Sequence, residues 1–197
     1  MKLASLSEQI RALASGRIVF SATETWRTVY QELLQSLLQS SGPKSYKSVA
    51  WAKTKDYWQD QPGKQDMRLN FELAKRGLQI ERIVILRGDL WPRGDALPSS
   101  DIRPWVEAQH ERGIKVSLVR ESEIACEADL LSDFGLYGDR ATGVEDLDEQ
   151  ARTLRFTVSF DPHNIALAKD RWARLSLYAK PYGERLPSGG RKGAKAT

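Results

Sequence analysis

The longest amphipathic pattern in the chain lies between residues 21 and 39. Its apolar side chains recur at the i, i+3, i+4, i+7 spacing of one helix face: Trp26, Val29, Tyr30, Leu33, Leu34, Leu37 and Leu38. Ser21 and Glu24 have the spacing of a capping box. The pattern predicts a helix that packs against a sheet and is ended by the Ser-Ser-Gly-Pro sequence at 40–43.

Two later segments repeat one order of elements, in which a helix is closed by glycine and followed by an apolar strand. A helix and Gly77 precede the β-branched run 78–86, and a second helix and Gly113 precede the run 114–119. Such runs are typical of strands that are buried on both faces of a parallel sheet. Two consecutive units of this kind predict right-handed βαβ crossovers.

The rest of the chain adds shorter elements. Strands are predicted at 17–20, 45–52, 134–137 and 152–160, and helices at 3–14 and from Pro162 to about Pro181. We therefore predict a single α/β domain whose mixed, mainly parallel β-sheet is flanked by helices. The predicted limits are an N-terminal helix at 1–16, the α/β domain at 17–183 and a flexible basic tail at 184–197.

The charge of the chain is unevenly distributed. Of the net charge of +4, residues 186–197 supply three positive charges and no negative one. Residues 44–93 contain 11 Lys and Arg against 6 Asp and Glu, whereas residues 121–149 contain 10 acidic residues against Arg140. Such asymmetry is found at partner-binding surfaces and, more often, in solvated loops.

Several classes of protein are disfavoured by the composition. A single cysteine, Cys126, excludes an internal disulfide and a cysteine-based zinc site. Glu8 and Arg11 interrupt the only region that resembles a secretory signal, and no segment approaches the roughly 20 apolar residues of a membrane span. We expect a cytoplasmic protein that does not act at membranes.

The sequence contains no recognisable catalytic motif. The two histidines, His110 and His163, lie outside any metal-binding spacing, and no Walker loop, Gly-x-Gly-x-x-Gly or Gly-x-Ser-x-Gly is present. We therefore predict no catalytic residue, no metal and no cofactor.

Two groups of residues are candidate ligand contacts, although both are also compatible with ordinary packing and solvation. In the first, cations alternate with aromatic rings on which bases could stack: Trp51, Lys53, Lys55, Tyr57 and Trp58. The second group lies around the C-terminal end of the run 78–86, where α/β sheets bind their ligands: Arg82, Arg87, Trp91 and Arg93.

Some segments resemble a group of bacterial phospholipase-D-like domains of unassigned function, over about residues 17–182. The similarity is carried by residues 45–58, 75–85, 113–116 and 159–162, together with Trp172 and Leu175. The resemblance implies one half of a phospholipase-D-like pair, so a homodimer is plausible by analogy.

The resemblance also indicates where a catalytic motif would lie. In active members of that family a His-x-Lys-x-x-x-x-Asp motif transfers a phosphoryl group: histidine attacks phosphorus and lysine neutralises the phosphate. If Asp139 is aligned with the aspartate, Ser132 and Phe134 occupy the histidine and lysine positions. The implied protein is a non-catalytic, regulatory or partner-binding module.

Two other functions are kept as alternatives. The first is nucleic-acid or nucleotide binding through the basic 44–93 surface. The second is a phosphodiesterase or nuclease with a non-standard site.

Overall fold

A computed structural model describes residues 16–21, 23–148 and 152–186. In these described ranges, eight strands form one sheet: β1 (Arg17–Phe20), β2 (Ser45–Ala52), β3 (Gln79–Leu86), β4 (Lys115–Arg120), β5 (Asp133–Tyr137), β6 (Ala141–Leu147), β7 (Thr153–Ser159) and β8 (Lys180–Pro181). Four helices of the described chain pack on it: α1 (Thr23–Gln39), α2 (Gln61–Lys75), α3 (Arg103–His110) and α4 (Pro162–Tyr178). The strand order is β1-β7-β6-β5-β2-β3-β4-β8.

The two predicted βαβ units are confirmed as parallel neighbours in one sheet, but the prediction of a mainly parallel sheet is wrong. Strands β2, β3 and β4 are parallel neighbours, with Val49 opposite Ile83 and Ile83 opposite Ser117. All other pairings in the described sheet are antiparallel. The difference arises because β5, β6 and β7 follow one another as a meander, in which short connections require antiparallel neighbours.

The helix boundaries follow local signals that the sequence contains. Asp161 caps α4, its carboxylate accepting a hydrogen bond from the backbone N–H of His163 at 3.1 Å, and Pro162 occupies the first turn. Gly77 and Gly113 follow α2 and α3 with φ of 95° and 85°, a conformation that residues with a Cβ rarely adopt.

The two faces of the sheet carry separate cores. Even-numbered residues of β2 and β3, such as Tyr46 and Val84, pack under α1, α2 and α3; we call this side the three-helix face. Odd-numbered residues, such as Val49 and Ile85, pack under α4 on the side we call the α4 face. The domain is therefore a three-layer α/β/α sandwich.

Several carboxylates of the acidic segment 121–149 are paired within the domain. Arg174 of α4 contacts Glu127 at 2.9 Å and also pairs with Asp129. Lys169 pairs with Asp139, and Arg155 of β7 pairs with Asp146 at 2.6 Å. Part of the acidic charge of this segment is thus balanced by cations of β7 and α4.

Some predicted segments lie outside the described residues. They include the helix at 1–16, apart from Gly16, and the basic tail from residue 187 onward. Residues 184 and 185, assigned above to the tail, belong to a short 3₁₀ turn (Tyr182–Arg185) that follows β8. Within the described ranges, no helix has both the length and the apolar character needed to cross a bilayer.

Candidate ligand-binding site

A cavity of about 220 Å³ lies at one edge of the sheet. Strands β2, β3 and β4 end at this edge, and β5 begins there because it runs antiparallel to β2. Ligands of α/β domains bind outside the carboxyl ends of the parallel strands. The polar residues that line the cavity are Trp51, Lys53, Ser132, Asp133, Glu145 and Asp146.

One row of these residues lies on the α4 face. Val49 of β2, Phe134 of β5 and Val144 of β6 are neighbours across the sheet. Two residues closer to the cavity on each strand, the same register places Trp51, Ser132 and Asp146 side by side.

Two polar atoms in this row have no internal partner. The indole nitrogen of Trp51 and the hydroxyl oxygen of Ser132 are buried without a hydrogen-bond partner among the described residues. Six other buried side-chain atoms of the described residues are likewise unpaired, but these two belong to residues that line the cavity, where a ligand or water can reach them. Lys53 adds a cation, because its Nζ lies 3.9 Å from the centroid of the Trp51 ring.

A pair of carboxyl groups lies beside the cavity on the three-helix face. Asp133 and Glu145 are opposite each other on β5 and β6, and Asp133 is only 3% exposed. Asp133 accepts hydrogen bonds from the Trp51 backbone N–H at 3.1 Å and from the Tyr57 hydroxyl. Glu145 accepts one from the Thr153 hydroxyl at 3.2 Å.

The two carboxyl groups are poised to hold protons near neutral pH. Burial raises the pKa of Asp133 to about 7, although the hydrogen bonds from Tyr57 and Trp51 oppose the rise. Burial and the neighbouring Asp133 charge raise the pKa of Glu145 to about 8. Carboxyl groups of this kind can act as acid or base, and a protonated one donates a hydrogen bond.

Of the predicted contacts around the end of β2, the structure brings Trp51 and Lys53 to the cavity but not Lys55 or Trp58. Lys55 is exposed on the loop between β2 and α2. Trp58 has a φ of 54°, which is unusual for a bulky residue, and its ring packs edge-on against Tyr30 at 5.8 Å on the three-helix face. The ring of Trp58 therefore takes part in packing.

The predicted residues Arg82 and Arg87 lie apart from the cavity. Arg82 is 3% exposed, and its guanidinium donates to Ser48 Oγ at 2.9 Å and to Gln109 Oε1 at 2.5 Å. Arg87 is exposed and forms two hydrogen bonds with Asp89, at 2.7 and 2.6 Å. The buried Arg82 is thus satisfied inside the protein, and Arg87 already has its own carboxylate.

The basic residues of segment 44–93 do not gather on one surface. Lys44 precedes β2 and Lys75 ends α2 at the opposite edge of the sheet, whereas Lys53 and Lys55 follow β2 at the cavity edge.

Sequence reasoning missed the carboxyl pair. Asp133 and Glu145 stand in a segment so acidic that no single carboxylate is conspicuous. A faint signal exists, because Asp133 shares the alternate-residue spacing of Gly135 and Tyr137 and so faces the same side of β5. Without the β5–β6 register, nothing indicates that Glu145 lies opposite.

The positions of the aligned motif also become clear. Ser132 lies at the cavity, whereas Phe134 is 4% exposed and packs in the core under α4. His110 lies at the other edge of the sheet, with its ring 5.6 Å from that of Tyr182. Within the described part of the chain, no group of three His, Cys, Asp or Glu residues is arranged to hold a metal ion.

Comparisons with known proteins give the fold. No protein-family model and no curated protein matches the sequence. Among solved structures, NucT from Helicobacter pylori has a TM-score of 0.54 at 11% identity, over 84% of this chain and 98% of that one. Nuc from Salmonella typhimurium, a phospholipase D family member, has a TM-score of 0.54 at 12% identity, over 84% and 97%.

A third structure matches only in part. Polyphosphate kinase from Porphyromonas gingivalis has a TM-score of 0.55 at 9% identity, over 84% of this chain but 27% of the kinase. Two of these structures match almost along their whole length, so the similarity covers a complete domain. The chain therefore has the phospholipase-D-like fold that the sequence predicted.

Proposed function

We propose that this chain is a phospholipase-D-like domain that binds a ligand or partner in a regulatory role and does not carry out histidine-based phosphoryl transfer. The observation that carries the proposal is the burial of Phe134 in the core under α4, at the position aligned with the catalytic lysine. Covalent phosphoryl transfer needs a nucleophile and a cation at the phosphate. Ser132 and Phe134 supply neither an imidazole nor an ammonium group.

The cavity at the sheet edge supports the binding half of this proposal. It stands where the aligned nucleophile would act, and its wall contains the unpartnered donors of Trp51 and Ser132. We expect the occupant to carry hydrogen-bond acceptors, because the Trp51 indole N–H can only donate and the Ser132 hydroxyl, which can also accept, is able to donate beside it.

Turnover and covalent labelling test the catalytic half. The purified chain is incubated with bis-p-nitrophenyl phosphate, with and without divalent metal ions, and the protein is analysed for a histidine that carries the p-nitrophenyl phosphoryl group. We expect neither product nor label. Turnover that disappears in His110→Ala or His163→Ala would overturn the proposal, because it would show that a histidine outside the aligned motif serves as the nucleophile.

Ligand screening tests the binding half. Thermal shifts are measured against a library of small acceptor-rich compounds. Hits that use the cavity should lose their shift in Trp51→Phe, which removes the indole N–H, and in Ser132→Ala. The matched control is Lys55→Ala, an exposed residue on the neighbouring loop. Hits that persist in both cavity variants would contradict the assignment of the cavity as the binding site.

Nucleotide or single-stranded nucleic-acid binding is a second candidate. The observation that favours it is the Lys53 ammonium 3.9 Å above the Trp51 ring at the cavity, a combination of cation and aromatic ring used in such sites. Binding should weaken steeply as salt rises, and Lys53→Ala should weaken it more than Lys75→Ala at the opposite edge. Affinity that is unchanged by salt and by both variants would remove this candidate.

A phosphodiesterase with a non-standard site is favoured by one feature, the Asp133–Glu145 pair with its raised pKa values. If metal-dependent turnover is found in the assay above, it should vanish in Asp133→Asn and Glu145→Gln. Turnover that survives both would exclude the pair as acid and base.

Three further predictions concern the oligomeric state, the partner and the cellular location of the domain. Homodimerisation and a protein partner follow from the pairing of phospholipase-D-like halves, and a cytoplasmic location from the sequence. Analytical ultracentrifugation of the full chain distinguishes a monomer from a dimer.

A further inference from the structure

Two arginines share one tryptophan ring at the carboxyl ends of β3 and β4. Trp91 follows β3 and is fully buried, Arg120 ends β4, and Arg185 lies in the turn after β8. The central guanidinium carbons of Arg120 and Arg185 lie 3.8 and 4.5 Å from the centroid of the Trp91 ring. This site lies at the β3–β4 end of the edge, whereas the cavity described above lies at β5 and β6.

The two guanidinium groups are not equally satisfied. Arg120 contacts Glu123 at 3.3 Å and donates to the backbone carbonyl of Asp95 at 2.6 Å. Arg185 makes no salt bridge or hydrogen bond with the described residues, and its Nε is buried without an acceptor among them. One guanidinium is therefore held against a ring without a partner within the described chain.

The electrostatics of this site favour an added negative charge. Burial lowers the pKa of Arg185, and the neighbouring Arg120 charge lowers it further, while the Glu123 carboxylate acts in the opposite direction. Two cations thus face one carboxylate, which leaves a net positive charge at the site. A bound anion would relieve the repulsion between the two guanidinium groups.

The geometry selects the kind of anion. Stacking on Trp91 holds the planar fork of Arg185 in place, so less side-chain entropy is lost when it binds. Arginine forks match the oxygens of phosphate in pairs, and a phosphate has enough oxygens to accept from two guanidinium groups. The carboxyl edge of parallel strands is also the position at which α/β domains bind their ligands.

We propose that Arg185 and Arg120, stacked on Trp91, form a phosphate-binding site that is separate from the cavity. Arg185 supplies the open guanidinium fork and Arg120 the second positive charge. The Glu123 carboxylate already pairs with Arg120 and therefore competes with the phosphate for the positive charge of the site.

Titration of the full chain with inorganic phosphate by isothermal titration calorimetry tests the proposal. Arg185→Gln should weaken binding about tenfold or more, because a charge-assisted contact is removed. Glu123→Gln should strengthen binding, since it removes the competing carboxylate. Arg87→Gln is the matched control, because Arg87 is an exposed arginine near the end of β3 that already pairs with Asp89. It should leave the affinity unchanged.

Further arms identify the source of the phosphate and separate this site from the cavity. The affinities for phosphoserine and for a nucleoside monophosphate are compared with the affinity for inorganic phosphate. Tighter binding of one of the two esters indicates the class of molecule that carries the phosphate. Equal affinities indicate free phosphate. Ser132→Ala should leave phosphate binding intact, so failure of the proposed function does not affect this result. No phosphate binding by the wild-type chain, binding unchanged in Arg185→Gln, or binding lost in Ser132→Ala would overturn the proposal.

Discussion

Replacing Asp133 by asparagine should make the domain more stable at neutral pH and change how its stability depends on pH. Asn has the same shape and keeps an oxygen that accepts from the Trp51 N–H and the Tyr57 hydroxyl. It cannot ionise. Any change in the pH dependence of unfolding therefore reports the charge that Asp133 acquires in a buried position.

The size and sign of the effect follow from the raised pKa. The pKa of Asp133 is about 7 in the folded chain, against about 3.9 for an unperturbed aspartate. Between these values the folded state holds a proton that the unfolded state has released, so a rise in pH favours unfolding. The free energy of unfolding should fall by about 1.4 kcal/mol for each pH unit in this window and level off above pH 7.

Urea unfolding from pH 5 to pH 8 measures this slope. Over the interval from pH 5 to pH 7, the stability of Asp133→Asn should rise relative to that of the wild type by about 2.5 kcal/mol. Glu145, whose pKa is also raised, contributes in the same direction in the wild type and in the variant. Asp139→Asn, at an exposed ion pair with Lys169, is the control and should not change the slope. Parallel curves for Asp133→Asn and the wild type would refute a buried, protonated Asp133.

Other variants test the packing of the domain, each by urea unfolding. Phe134→Ala should lower the free energy of unfolding by about 3–5 kcal/mol, because it opens a cavity under α4, whereas Leu154→Ala, at an exposed position, should change it by less than about 0.5 kcal/mol. Gly143→Ala should lower it by about 1–3 kcal/mol, since an added Cβ would lie 2.7 Å from the Phe156 ring, and Phe156→Leu should recover part of the loss; additive losses would contradict the clash. Arg174→Met should lower it by less than Phe134→Ala does, and the loss should shrink at high salt, because the ion pairs of Arg174 are exposed to solvent.

The parts of the fold that could be predicted are those with a local cause. The run 78–86 is apolar and β-branched throughout, and β3 occupies Gln79–Leu86. The proline after Asp161 starts α4 where expected. Strand β6 was missed because Gly143, Glu145 and Asp146 have little strand preference, and the strand is held by pairing with β5 and β7.

In the candidate site, the only residues that could be predicted are those whose location follows from a predicted strand. Trp51 and Lys53 come at the end of a strand, so their location at the sheet edge follows from the strand itself. Arg82 illustrates the limit. An arginine within an apolar run is normally solvated, and its burial depends on Ser48 and Gln109, which lie 34 and 27 residues away in the sequence.

The pairing of β1 with β7 has a consequence for the order in which the domain assembles. Val19 lies opposite Thr157, about 140 residues later in the chain. Strand β1 can therefore pair only after β7 has been synthesised. Contacts this distant in sequence slow folding, because a long loop must close before they form. During synthesis β1 emerges early, yet it can complete the sheet only after the β5–β7 meander has left the ribosome. Its apolar edge stays without a partner for most of that time and is the segment we expect a chaperone to protect.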